Sequence, residues 1–239
     1  VAACYHKDPV MISYINNPSK DMHRDMAAQI YRMDPEHVSK AVRHCGKNMF
    51  VFPQFYGDFY VNNAKSMWEA IDTMGLTGPE DRPLREWLQA QGIKNRGECD
   101  PSKCPKLGSF EHHMKTVEDD FWKRRFKIYG AWKKQWWNAY QRTGQFTTLT
   151  GFTISGVMDR NSVINYPVQG SAFHCLLWSL TRLVRWLHKY RMKTRIVGQI
   201  HDSIIADVHV SELGDFMVKS KQIMTEDIRK WAKWLVVPW

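Results

Sequence analysis

The chain has no run of about 18 apolar residues, and this excludes a membrane-spanning helix. It shows no charged, apolar, small-residue leader at its start. Cysteine is scarce: five in 239 residues is an odd, sparse count, poor material for a disulfide framework and better suited to a reducing compartment. Internal repeats and low-complexity tracts are missing as well. Negative charge is missing locally, since no Asp or Glu stands between Arg160 and His201, a stretch that carries seven Lys and Arg.

What is present is basic and foldable. Lys and Arg number 34 against 24 Asp and Glu, a formal charge of +10, which points to an acidic partner. With 44% hydrophobic and 13% aromatic residues the chain is too apolar for a disordered tail, and its length suits one large or two small domains with a real core. It opens at Val1-Ala2-Ala3-Cys4 and stops at Val237-Pro238-Trp239, so both ends read as the interior of something longer.

Periodicity predicts a mostly helical chain with a small antiparallel sheet, an α+β class. Asp34-Pro35-Glu36 has the chemistry of a helix start, and Val38, Val42, Cys45, Met49 and Phe52 follow as one apolar stripe with Lys40, Arg43 and Lys47 opposite. Pro53 is expected to end or kink that helix, with Phe55-Tyr56-Gly57 as its exit. Glycines and prolines scattered over residues 61–111 suggest an insertion or a mobile subdomain. A long helix is expected over about 111–142, with Trp122, Phe126, Tyr129, Trp132, Trp136 and Tyr140 as its core stripe. Beyond it, Phe146 to Thr153 suits a strand, Ser171 to Tyr190 a helix, Arg195 to Val208 a hairpin and 211–235 a final helix.

Three groups of residues could carry chemistry. Asp202 ends the acid-free run, in Gln199-Ile200-His201-Asp202-Ser203-Ile204-Ile205, at the tip of the expected hairpin. A carboxylate there, in a basic field, can hold a divalent cation against a phosphate, or it can be a plain turn Asp. Arg43 and Lys47 stand four apart on one helix face, where they could meet a triphosphate or simply face solvent. Cys99, Cys104, His112 and His113 have ligand types suited to zinc, but their spacing is loose and a reduced surface loop is the better account of them. Asn165 and Gln169 read on their own as capping and turn residues ahead of a helix.

In order along the chain, Asp21-Met22-His23-Arg24-Asp25-Met26-Ala27, Arg43-x3-Lys47 running to Tyr56-Gly57, Asn165-Tyr166-Pro167-Val168-Gln169-Gly170-Ser171-Ala172 and Gln199-Ile200-His201-Asp202 resemble successive motifs of the family A (DNA polymerase I-like) DNA polymerases, and the wording of residues 47–57 looks most like the phage-type branch. The resemblance implies a polymerase palm with a small antiparallel sheet plus helical fingers. Residues 1–35 and 156–239 would be palm, and 36–155 fingers including the insertion at about 61–111. It implies template-directed transfer of dNTPs to a primer 3′-hydroxyl by a two-metal Mg²⁺ mechanism, in a bacterial or phage-infected cytoplasm. His23, Arg43, Lys47 and Tyr56 would bind the nucleotide, Asn165, Gln169, Gln199 and His201 the primer-template DNA, and Asp202 a catalytic metal.

The same pattern puts the partner aspartate, with the thumb and the first palm strand, upstream of residue 1. The alternative for the chain by itself is then a non-catalytic nucleic-acid-binding fragment. Ser203 stands where the family usually has Glu, and the spacing from Lys47 to Tyr56 is one residue longer than usual, which leaves Phe50 and Phe52 as rivals to face the nucleotide sugar.

Overall fold

In the computed structural model, which describes residues 1–238, helices dominate and two small antiparallel sheets complete the fold. In chain order the helices are α1 (Ala2–His6), α2 (Pro9–Asn16), α3 (Met22–Tyr31), α4 (Lys40–Gly46), α5 (Phe52–Tyr56), α6 (Tyr60–Thr73), α7 (Leu84–Ala90), α8 (Phe110–Asp120) and α9 (Lys127–Thr143). The strands β1 (Gln145–Thr147) and β2 (Thr153–Ser155) follow, then α10 (Arg160–Lys189), the strands β3 (Arg195–Ile200) and β4 (Ser203–Asp207), and finally α11 (Leu213–Lys221) and α12 (Ile228–Trp231). The chain divides into two compact units, Asn17–Ala131 and Val1–Asn16 with the chain from Trp132 onward.

Within the 17–131 unit, α3 begins where Asp21 caps it, its carboxylate accepting from the His23 and Arg24 N–H groups. Pro35–His37 forms only a 3-10 turn, and α4 starts later than the sequence suggests, because Val38 is extended and the Ser39 hydroxyl takes the Val42 N–H. Gly46, fully buried, is where α4 meets α3: a Cβ there would stand 2.9 Å from the Ala27 Cβ and 3.2 Å from the His23 carbonyl. Only a residue without a side chain permits that approach.

After Gly46 the helix continues as a π-turn over Lys47–Val51. One extra residue in a turn rotates everything after it by about 100°. The apolar stripe therefore changes register: Phe50 and Val51 are buried, and Phe52, expected in the core, is 38% exposed. Pro53 lies within this unbroken helical run, so a carbonyl one turn back goes without the N–H it would otherwise receive. Gly57, at φ 100°, ends α5 in a left-handed conformation.

Gln54, under α5, is fully buried and fully engaged. Its amide donates to Asn63 Oδ1 (2.7 Å) and Glu118 Oε1 (2.6 Å), and its carbonyl accepts from the Trp122 indole (2.6 Å). Phe55 packs among Phe121, Trp122, Phe126 and Tyr129 at 5.7–6.3 Å between ring centroids. The stretch 61–111 contributes core: Met67, Trp68 and Ile71 of α6 and Phe110 of α8 are buried, and α6 packs on α8, where Met114 and Val117 are buried too. The long helix expected over 111–142 is interrupted by a second π-turn, Phe121–Arg125, and by Phe126 at φ −113°, ψ 47°.

In the other unit, the stretch 146–153 is a hairpin rather than one strand, with Phe146 opposite Ile154. The helix expected from Ser171 starts at Arg160, capped by Asp159, and runs through Pro167. A proline there removes the hydrogen bond that the Val163 carbonyl would receive. The Trp136 indole N–H supplies it, 3.0 Å away. Beside this repair the Tyr5 hydroxyl donates to the Pro167 carbonyl (2.9 Å) and lies 2.7 Å from the Ser171 hydroxyl, while the Leu149 N–H donates to it at 3.1 Å. The final helix is also divided, by a π-turn at Gln222–Asp227, and its expected stripe is only partly buried, with Leu213 and Met217 exposed.

Two predictions follow from these contacts. Trp136→Phe should lower stability by about 1–3 kcal/mol, the cost of an unsatisfied buried carbonyl, and much less in a Pro167→Ala background, where the restored N–H serves Val163; denaturant unfolding of the four proteins in the cycle measures the coupling. Gly46→Val should cost about 1–3 kcal/mol by overpacking, read in the same way, and a variant as stable as the parent would show that α3 and α4 do not need to approach so closely.

Candidate functional site

The close contact of α3 and α4 brings the first set of candidates together. Arg43 is held by Asp21, whose Oδ2 lies 2.6 Å from Nε, so one carboxylate both caps α3 and aims the guanidinium. Burial alone would push the Asp21 carboxyl up, but the hydrogen bonds from Arg43 and from the Arg24 N–H outweigh it and hold the group below its usual value. His23 and Phe52 meet edge to face at 5.7 Å, and the Lys47 ammonium sits 5.0 Å from the centre of the Phe52 ring. Burial, then the charge of Arg43, depresses the His23 pKa below its ordinary value, with Asp21 opposing and Lys47 adding to the effect. The ring therefore resists protonation more than a free imidazole does. Its Nδ1 is buried with no hydrogen-bond partner among the described residues.

His23, Arg43, Lys47 and Phe52 thus form one surface: a bidentate donor, a point charge, an imidazole and an exposed ring. Such a surface suits a ligand with clustered phosphates next to something flat. Phe50 is on the other side, buried edge to face against Phe121 at 5.3 Å. Tyr56 stands at the end of α5, 52% exposed, just before Gly57. Asp21 as the residue orienting Arg43 was not identified from sequence, although an Asp immediately ahead of a helical stretch is a capping signal.

In the other unit, Asn165 and Gln169 lie inside α10, one turn apart and on one face, and the cap of that helix is Asp159; they are not the capping residues that their local sequence suggested. Tyr166 between them is exposed. Gln199, His201 and Asp202 crown the β3–β4 hairpin, whose register pairs Gln199 with Ile204 and Ile200 with Ser203. His201, at φ 50°, makes the left-handed step of the turn, and the Gln199 amide donates to its carbonyl across the tip. Asp202 is exposed there and joins no ion pair among the described residues. A bulge between Ile196 and Gly198 displaces Val197, and Val197, Ile200 and Ile205 are 62%, 56% and 40% exposed on a sheet of two strands.

The zinc set is not assembled. Cys104 is exposed, the Cys99 N–H is held by the Glu111 carboxylate at 2.9 Å, and the His113 ring is turned onto the Gln29 and Ile30 carbonyls at 3.2 and 3.0 Å. Among the described residues, the group of three or more His, Cys, Asp and Glu side chains close enough to share an ion is instead Asp34, Glu36 and His37, all exposed. No helix among the described residues is long and apolar enough to cross a membrane.

Comparison with known proteins gives this arrangement a context. The family model described as DNA polymerase family A matches residues 125–238. A DNA polymerase of Bacillus phage SP01 is 25% identical over 94% of this chain, which covers 21% of that protein. DNA polymerase I of Lactococcus lactis subsp. cremoris is 38% identical over 32% of this chain, which covers 9% of it. Among solved structures, the POL domain of Pol1 from M. smegmatis, in complex with DNA primer-template and dNTP, aligns with a TM-score of 0.66 at 16% identity, over 99% of this chain and 35% of that one. The chain spans a minor part of each relative's length. Residues 125–238 thus match the model of DNA polymerase family A, and the chain as a whole is similar in sequence to a phage DNA polymerase and in fold to a polymerase domain.

Proposed function

We propose that this chain is the nucleotide-handling part of a phage-type, template-directed DNA polymerase working in a bacterial or phage-infected cytoplasm, with palm at residues 1–35 and 156–239 and fingers at 36–155. The observation that carries this reading is the joint surface of His23, Arg43, Lys47 and Phe52, with Asp21 fixing Arg43 at 2.6 Å. Arg43 and Lys47 grip the triphosphate of an incoming dNTP, as a fork and a point charge. His23, disfavoured as a cation by burial and by Arg43, serves as a hydrogen-bonding group beside the phosphates rather than as a third charge. Of the two phenylalanines, Phe52 is the one whose exposure lets it face the sugar, and Tyr56 monitors the nascent base pair.

In the palm, Asn165 and Gln169 present two amides one turn apart to the primer-template duplex. Gln199 and His201 hold the primer terminus. Asp202 would hold Mg²⁺: it offers an exposed hard oxygen at a hairpin tip, in a stretch otherwise basic, which fits a cation that binds through one or two carboxylates and the substrate phosphates. Mg²⁺ held there would supply charge stabilisation at the phosphoryl oxygens for the displacement of pyrophosphate from the α-phosphorus by the primer 3′-oxygen. A second ion needs a further carboxylate, which we assign to a palm segment ahead of Val1.

The solitary position of Asp202 also favours a second reading for these 239 residues in isolation, a nucleic-acid-binding unit without catalysis. In a polymerase that contains this chain, Lys47→Ala should cost about 3 kcal/mol of transition-state stabilisation, roughly a hundredfold in kcat/KM for dNTP; unchanged single-nucleotide incorporation would remove Lys47 from the site. Primer extension should be undetectable with the chain alone, present when it is joined to its upstream segment, and abolished again by Asp202→Ala in the joined form. Activity of the chain alone would disprove the need for a second carboxylate, and an inactive joined form would disprove the polymerase reading.

A further inference from the structure

The second half of α10 carries a feature that the polymerase reading leaves unused. An open cleft of about 640 Å³ runs along it, with Trp178, Arg182, Arg185 and Lys189 on one wall and Lys219 and Trp231 on the other. A neighbouring cleft of about 460 Å³ shares Trp178, Arg182, Arg185 and Trp231 and ends at Phe152 and His174, whose rings meet at 5.4 Å. The two clefts therefore form one groove, with the tryptophans at its middle.

Its chemistry is uniform. Trp178 and Trp231 lie stacked, 5.4 Å apart and 14° from parallel, and the Arg182 guanidinium lies 5.1 Å from the Trp178 ring centre. Trp231 keeps 40% of its surface exposed. Among the described residues, Arg182, Arg185, Lys189 and Lys219 make no ion pair, and the acid in the cleft, Asp227, is already taken by Lys230 at 2.7 Å. Four cations are thus left without a counter-charge, in a groove walled by rings.

We propose that this groove is a second nucleic-acid site and that it takes single-stranded nucleic acid. Flat rings beside free cations fit unpaired bases on a phosphate chain, because base faces stack on aromatics while Arg and Lys neutralise the backbone. A duplex has its base faces already covered, and an acidic peptide would use the cations but leave the stacked tryptophans idle. The site is separate from the primer-template residues on the same helix. Counted at about 100° per residue, Trp178, Arg182, Arg185 and Lys189 lie about 160–220° around α10 from Gln169. The inference does not rest on the polymerase reading, since it needs only the groove.

The test uses the intact chain and a fluorescein-labelled dT12, with binding followed by anisotropy and by quenching of tryptophan fluorescence. Trp231→Ala should weaken dT12 about tenfold and reduce the quenching, with Trp231→Phe largely restoring affinity. Arg182→Gln with Arg185→Gln, both at exposed positions, should flatten the slope of log K against log salt by about 1.4. A blunt duplex should bind all of these variants as it binds the parent. Circular dichroism checks that the variants fold, and should Trp231→Ala disturb α12, the arginine pair alone decides. Unchanged dT12 affinity in the arginine pair, an equal loss for the duplex, or displacement of dT12 by polyglutamate or phosphatidylserine vesicles as readily as by unlabelled dT12 would overturn the proposal. None of these readouts requires primer extension, so a failure here and a failure of the polymerase reading are told apart.

Discussion

Helix α3 can present His23 beside Lys47 only because Gly46 has no side chain. With the Ala27 Cβ 2.9 Å from where a Gly46 Cβ would stand, the two helices meet almost backbone to backbone. That contact places the N-terminus of α3, with its capping Asp21, within reach of Arg43. The π-turn immediately after Gly46 then turns Phe52 outward to the same side. Remove the close approach, and the imidazole, the guanidinium, the ammonium and the ring no longer share a surface.

Elsewhere the fold shows how irregular helices are tolerated. At Pro167 the lost backbone hydrogen bond is replaced by the Trp136 indole, and beneath the helix that follows the Lys47–Val51 turn the buried Gln54 amide is paired on both its nitrogen and its oxygen. Buried polar groups are expensive when unpaired and cheap when fully paired. That asymmetry lets functional segments keep geometries that propensity alone would not choose. In the 1–16 and 132-onward unit the same logic draws Tyr5, Leu149, Pro167 and Ser171 into one hydrogen-bonded cluster, across more than 160 positions of sequence.

Much of this was legible in the sequence, and the exceptions have physical causes. The hairpin around Asp202 was legible because alternating apolar residues flank a polar tip, and the helical character of most of the chain because the apolar residues recur at three and four. The family motifs stood out because several occur in order. A π-turn leaves no such mark: periodicity carries the stripe smoothly from Cys45 to Met49 and Phe52, while the backbone inserts a residue and buries Phe50 instead. Pro167 made the residues before Ser171 look like a turn, since nothing local announces that a tryptophan some thirty positions earlier will satisfy the lost hydrogen bond. The cysteine–histidine set had suitable ligand types, but ligand types do not reveal that His113 is occupied with the carbonyls at the end of α3.

The β3–β4 hairpin gives the net charge of +10 a second meaning. Two strands, with Val197, Ile200 and Ile205 in the open, are a template on which another strand can pair. Mutual repulsion between strongly cationic copies keeps such edges apart in dilute buffer, and that repulsion fades once salt shortens the Debye length to a few ångströms. The excess of positive charge thus also opposes the approach of two such open edges, and salt weakens that opposition.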